Sequence, residues 1–150
     1  MRVVAFDVGE RRTGVALSDA SATLASPWRT LPGHDVRAAA ALVRELRDEP
    51  DGLAGIVVGL PRRLDGSPTQ LTSRVVAFAE ALRELSGLPV SLQDERLTSV
   101  DAEQRLAELE RDWRKRKAKL DAASAAIILQ DYLDRRSVET APPDPAEPRA

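Results

Sequence analysis

Residues 2–19 read RVVAFDVGERRTGVALSD, and the fold turns on how they pair. RVVAF (2–6) is a short apolar run suited to a central strand, and TGVALSD (13–19) is β-like as well. The glycine-containing stretch between them predicts an antiparallel hairpin. Its chemistry is uncommon for a turn: the acid Asp7 at the end of the first strand, then Gly9, then the adjacent cations Arg11 and Arg12. The carboxylate suits a metal, the glycine suits close approach of a phosphate to the backbone, and the arginines suit an anion. A hairpin turn with a solvated charge cluster is the plain alternative.

Working outward, ATLASPWRTL (22–31) predicts a third strand, with Pro27 arguing for an edge or a bend. Val36, Ala39, Val43 and Leu46 fall at helical spacing within 35–47. LAGIVVG (53–59) is a continuous apolar run, the pattern of a parallel strand covered on both faces. After the loop LPRRLDGSP, the residues Leu71, Val75, Phe78, Leu82 and Leu85 mark one face of a helix. LPVSLQDE (88–95) predicts a strand ending in acids, and 99–111 and 120–135 read as helices. The chain closes on TAPPDPAEPRA, whose four prolines predict disorder. The expected organisation is one domain over 1–138 and a tail over 139–150. Its class is α/β, a mixed five-stranded sheet flanked by helices, with the natural site at the carboxyl ends of the parallel strands.

Composition narrows the chemistry. With no cysteine, disulfides, thiol catalysis and thiolate metal sites are excluded. The single histidine, His34, cannot build a zinc site, so any metal must sit on oxygen, which points to Mg²⁺ or Mn²⁺. Aromatics at 3% exclude base stacking as the main mode of nucleic-acid binding. No apolar run reaches the roughly 18 residues of a membrane span, and Asp7 breaks the first one too early for a signal peptide. A cytoplasmic protein is expected. The formal net charge of −2 does not itself favour a polyanionic partner, so only local charge clusters can.

Metal-dependent phosphodiester cleavage needs carboxylates converging from separate elements. Asp7 after the first strand, Glu95 after the last and Asp121 at the start of the last long helix meet that requirement. Asp121 precedes AASAA, small residues that let a helix start lie close against a sheet edge; complementing the helix dipole is its alternative role. Asp94 and Glu95 are adjacent on a strand and point to opposite faces, so only one of them belongs to the site. Arg111, Arg114, Lys115, Arg116, Lys117 and Lys119 crowd into nine residues opposed by Asp112 alone, a candidate phosphate-tracking arm. A solvated helix–loop face is the other reading. Arg62 and Arg63 are candidates for contacting a second strand or a product end, and Arg96 adjoins Glu95.

FDVGERRTGVALSD, VVGLPRRLDGS, DERLTSVDAE and KLDAASAAIILQDYL, in this order over nearly all of 2–133, resemble the YqgF family, also called RuvX. These bacterial proteins have the RNase H-like fold and are related to the RuvC-type Holliday junction resolvases. The resemblance implies that Asp7, Glu95 and Asp121 match the family's three acidic active-site positions. It implies a nuclease of the kind that matures the 5′ end of 16S rRNA, with Arg11 and Arg12 near the scissile phosphate. Arg62 and Arg63 stand where the family often has one neutral or apolar residue. A Holliday junction resolvase, acting as a homodimer on branched DNA, is the runner-up. A non-catalytic adaptor of the ribosome or transcription machinery is a lesser reading. An actin-like phosphotransferase would need a second lobe that this chain lacks.

Overall fold

The structure, a computed structural model of the chain, describes residues 1–61, 69–94 and 122–140, the side chains through residue 136. Five strands form one sheet: β1 Arg2–Val8, β2 Arg12–Ser18, β3 Ala25–Pro32, β4 Leu53–Leu60 and β5 Val90–Asp94. Among the described residues three helices cover it: α1 Val36–Asp48, α2 Gln70–Ser86 and α3 Ala123–Thr140. The sheet order is β3-β2-β1-β4-β5. β1 pairs antiparallel with β2 and parallel with β4, and β4 pairs parallel with β5, so the sheet is mixed as expected. The helix read over 99–111 lies outside the described residues, as does the tail read over 139–150 except for its first two residues, which continue α3.

Strand alternation divides the core in two. Val4, Phe6 and Val8 of β1 join Val58 and the buried faces of α1 and α2, where Phe6 meets Phe78 edge-on at 6.0 Å between ring centroids. Val3 and Ala5 point the other way, into a second core with Ala16, Ala25, Val57 and the α3 residues Ala125, Ala126, Ile128 and Leu129. Alanine on both sides lets α3 lie close on this face. The small residues at the start of α3 therefore serve packing over the face of the sheet, not against its edge, because Ala5, Ala16 and Ala25 clear the space there.

Several strand ends differ from the sequence reading by one to three residues, and two of the differences have a visible physical cause. β1 runs through Val8, because Asp7 and Val8 pair with Gly14 and Thr13 and extend the ladder. Asp7 is thus within the strand rather than beyond it. β3 begins at Ala25 rather than near residue 22, since Ser21–Leu24 wrap around the Asp19 carboxylate. That group accepts hydrogen bonds from Thr23 N (2.8 Å), Leu24 N (3.1 Å) and the Ser21 hydroxyl (2.9 Å). Pro27 does sit on an edge strand, beside a register shift that leaves Trp28 unpaired between Arg29 and Pro27.

The Asp19 turn makes a testable statement about stability. Partial burial alone would raise the Asp19 carboxyl, but its hydrogen bonds from Thr23, Leu24 and Ser21 outweigh that and hold it below its ordinary value. A lowered folded value means that the contribution is complete above the ordinary carboxylate range and is lost as pH falls through the folded value. Asp19→Ala is expected to cost about 1 kcal/mol near neutral pH. The deficit should shrink in acid, and urea titrations at several pH values check both statements.

Candidate active site

The residue level that contains Asp7 can be read across the sheet. Asp7 pairs with Gly14 of β2. Phe6 pairs with Val58, and Val58 with Leu92, so the next level along holds Asp7, Gly59 and Gln93, the last two being a pair. Ala5, Ala16 and Val57 face α3, and two residues further along each strand come Asp7, Gly14 and Gly59. Asp7 therefore projects from the α3 face with a glycine beside it on both neighbouring strands. Its half-buried carboxylate stands over a floor without flanking side chains.

The turn next to it is held rigidly. Gly9 N donates to Arg12 O at 2.9 Å, and a β-carbon on Gly9 would lie 2.7 Å from that same oxygen, so glycine is required by close approach. Gly33 N donates to Arg11 O at 2.7 Å, and the Thr13 hydroxyl donates to Gly33 O at 2.7 Å. These bonds pin the β1–β2 turn to the end of β3. Arg12, two residues before Gly14, alternates to the same face as Asp7, while Arg11 lies in the turn; both are exposed. His34 is exposed just before Asp35, whose carboxylate caps α1 by accepting from Arg37 N.

The start of α3 is set by its other end. Leu133 and Arg136 line a cavity with Met1, Ala22 and Ala54, at the amino ends of β1 and β4. Gln130 accepts from Ala25 N and donates to Thr23 O, fixing the helix at the start of β3. The first turn of α3, immediately after Asp121 in sequence, consequently points back toward the carboxyl end of β1. The structure thus places Asp7, Arg11 and Arg12 together at one end of the sheet. Glu95, Asp121, Arg62, Arg63, Arg96, Arg114, Lys115, Arg116 and Lys117 lie outside the described residues. Among the described residues no three acids or imidazoles converge as a metal centre. Sequence reasoning passed over Gly14 and Gly59, though a glycine inside a strand signals close approach of another group.

Comparison with known proteins gives the family and the fold. The family model of RuvX, described as Holliday junction resolvase, matches residues 1–135. A Chloroflexus aurantiacus protein named as a candidate pre-16S rRNA nuclease is 46% identical over 135 residues, spanning 89% of this chain and 87% of its own. One of the same name from Caldanaerobacter subterraneus is 40% identical over 139 residues, spanning 89% and 96%. Thermus thermophilus RuvC, solved with a Holliday junction substrate, superposes with a TM-score of 0.53 at 16% identity over 91% of this chain and 96% of that one. The fowlpox virus Holliday junction resolvase gives 0.54 at 13% identity over 91% and 99%. At such identities the likeness bears on the fold, which is RNase H-like. A mixed sheet of this order with an acid on its central strand, and a family match over nine-tenths of the sequence, make the chain a member of the RuvX family of nucleases.

Proposed function

We propose that this chain is a divalent-metal-dependent nuclease that acts in 5′-end maturation of the 16S rRNA precursor, with Asp7, Glu95 and Asp121 as its catalytic acids. The observation that carries the reading is Asp7 itself: a carboxylate on the central strand, flanked by Gly14 and Gly59, open to the face that α3 approaches. The name borne by the relatives supplies the substrate.

The donor set fits a hard cation, since the chain offers carboxylates, no thiol and a single histidine, His34. Asp7, Glu95 and Asp121 would hold Mg²⁺ or Mn²⁺, which when bound activates water and stabilises the leaving oxygen. Strand alternation supports Glu95 over Asp94, because Gln93 faces α3 and Asp94, the next residue of β5, therefore faces away from it. Arg11 and Arg12 offset the repulsion between the acids and a polyanion by holding phosphates beside Asp7. Arg62, Arg63, Arg96 and the arm of Arg114, Lys115, Arg116 and Lys117 extend that contact along the substrate. A cytoplasmic location follows from the substrate, and among the described residues no helix is long and apolar enough to cross a membrane.

Cleavage of a four-way DNA junction by a homodimer is the second reading, favoured by the family description and by the superposition on RuvC. A labelled fragment spanning the 5′ end of the 16S precursor and a synthetic junction separate the two. Discrete cleavage of the RNA is expected with Mg²⁺ or Mn²⁺ and none with EDTA. Undiminished cleavage by metal-stripped protein in EDTA would remove the metal mechanism. Cleavage of the junction alone would replace RNA by DNA as the substrate.

A further inference from the structure

Asp131 lies in the middle of α3 with its carboxylate 1% exposed. One oxygen, Oδ2, accepts from Gln93 Nε2 at 2.7 Å and from Arg135 Nε at 2.9 Å. A carboxylate is costly to bury unless it is paired and hydrogen-bonded, so a side chain placed there is tied to its partners. The partner across the gap is what matters. Gln93 stands on β5, level with Asp7 and on the same face, while Arg135 is one turn along α3.

Apolar packing does not make this connection. The core beneath α3 draws Val3 and Ala5 from β1, Ala16 from β2, Ala25 from β3 and Val57 from β4. Among the described residues it takes none from β5, whose Val90 belongs to the opposite core and whose Leu92 is 41% exposed. The carboxyl end of an edge strand is therefore joined to α3 by a hydrogen bond to a buried charge, where its four sister strands use hydrophobic contact.

We propose that Asp131, acting through Gln93, is a positioning residue that sets the carboxyl end of β5 against α3 and so aligns the strand end leading to Glu95 with Asp7. Arg135 holds the carboxylate toward Gln93. This rests on the reading of Glu95 as a site acid, and it adds a determinant of the reaction that touches neither substrate nor metal.

The test uses the full chain, Mn²⁺ and the labelled 16S precursor fragment, with rates expressed per folded molecule from circular dichroism. Gln93→Ala and Asp131→Ala are expected to lower kcat about 10- to 100-fold, the loss usual when a group behind the reacting ones is removed. KM should stay near that of the parent. The double variant should lose no more than the worse single one, as for two residues acting as one unit. Asp131→Asn, which keeps an acceptor oxygen for Gln93, should recover most of the rate while still losing the charge that Asp131→Ala loses. Should Asp131→Ala not fold, Gln93→Ala decides, since its side chain is only partly buried. Glu95→Gln is measured beside them. If it cleaves as the parent does, the site reading falls and the proposal with it. If it is inactive while folded Gln93→Ala keeps the parental kcat, the positioning role alone is overturned.

Discussion

Asp7→Asn is expected to abolish cleavage while leaving the fold intact. The substitution keeps the shape of the side chain and removes its charge, so the hard anionic donor on the central strand is lost. Loss of groups behind a metal site commonly costs 10- to 100-fold, and loss of a donor itself should exceed about 100-fold. The fold should survive, because asparagine keeps the size of the side chain and the backbone pairing of position 7 with Gly14. Cleavage rates at saturating substrate, with thermal unfolding in parallel, check both halves. A variant that cleaved within about threefold of the parent would show that Asp7 is structural, since ordinary surface substitutions change energies by no more than that.

The hairpin that opens the chain was legible because its strands alternate about a turn containing glycine, and the five strands and three described helices follow from similar local patterns. What local pattern cannot give is the face. Whether Asp7 looks toward α1 and α2 or toward α3 depends on which helix covers which side, a matter of contacts between residues more than 100 positions apart, such as Gln130 with Ala25. The glycines flanking Asp7 come from positions 14 and 59, and only the pairing register brings them to its level. The same holds for Asp131. In sequence it sits within a stretch that reads only as a helix, and its role emerges when Gln93 is seen to reach it. The extent of β1 was underestimated for a related reason: an aspartate ends an apolar run, but it does not end a ladder whose partner strand continues opposite it.

Glu95→Gln and Asp94→Asn form the second decisive comparison, because two adjacent acids make opposite predictions. Gln93 donates to Asp131 on α3, which fixes the α3 face at position 93. Asp94, paired in register with Leu60, then projects to the side of α1 and α2, in line with Val90 and Leu92, away from Asp7. With Asp94 turned away from Asp7, Glu95 is the acid expected to serve the site. Glu95→Gln, equal in size and neutral, should lower kcat more than about 100-fold, as expected for a direct donor rather than a group behind it. Asp94→Asn should leave kcat within about threefold and act, if anywhere, on stability. The two positions are adjacent and each exchange removes one charge at constant size, so a contrast in rate reports which of the two acids serves the site. Inactive Asp94→Asn beside active Glu95→Gln would mean that the strand's alternation breaks at its carboxyl end, and the acid that completes the site would then be Asp94.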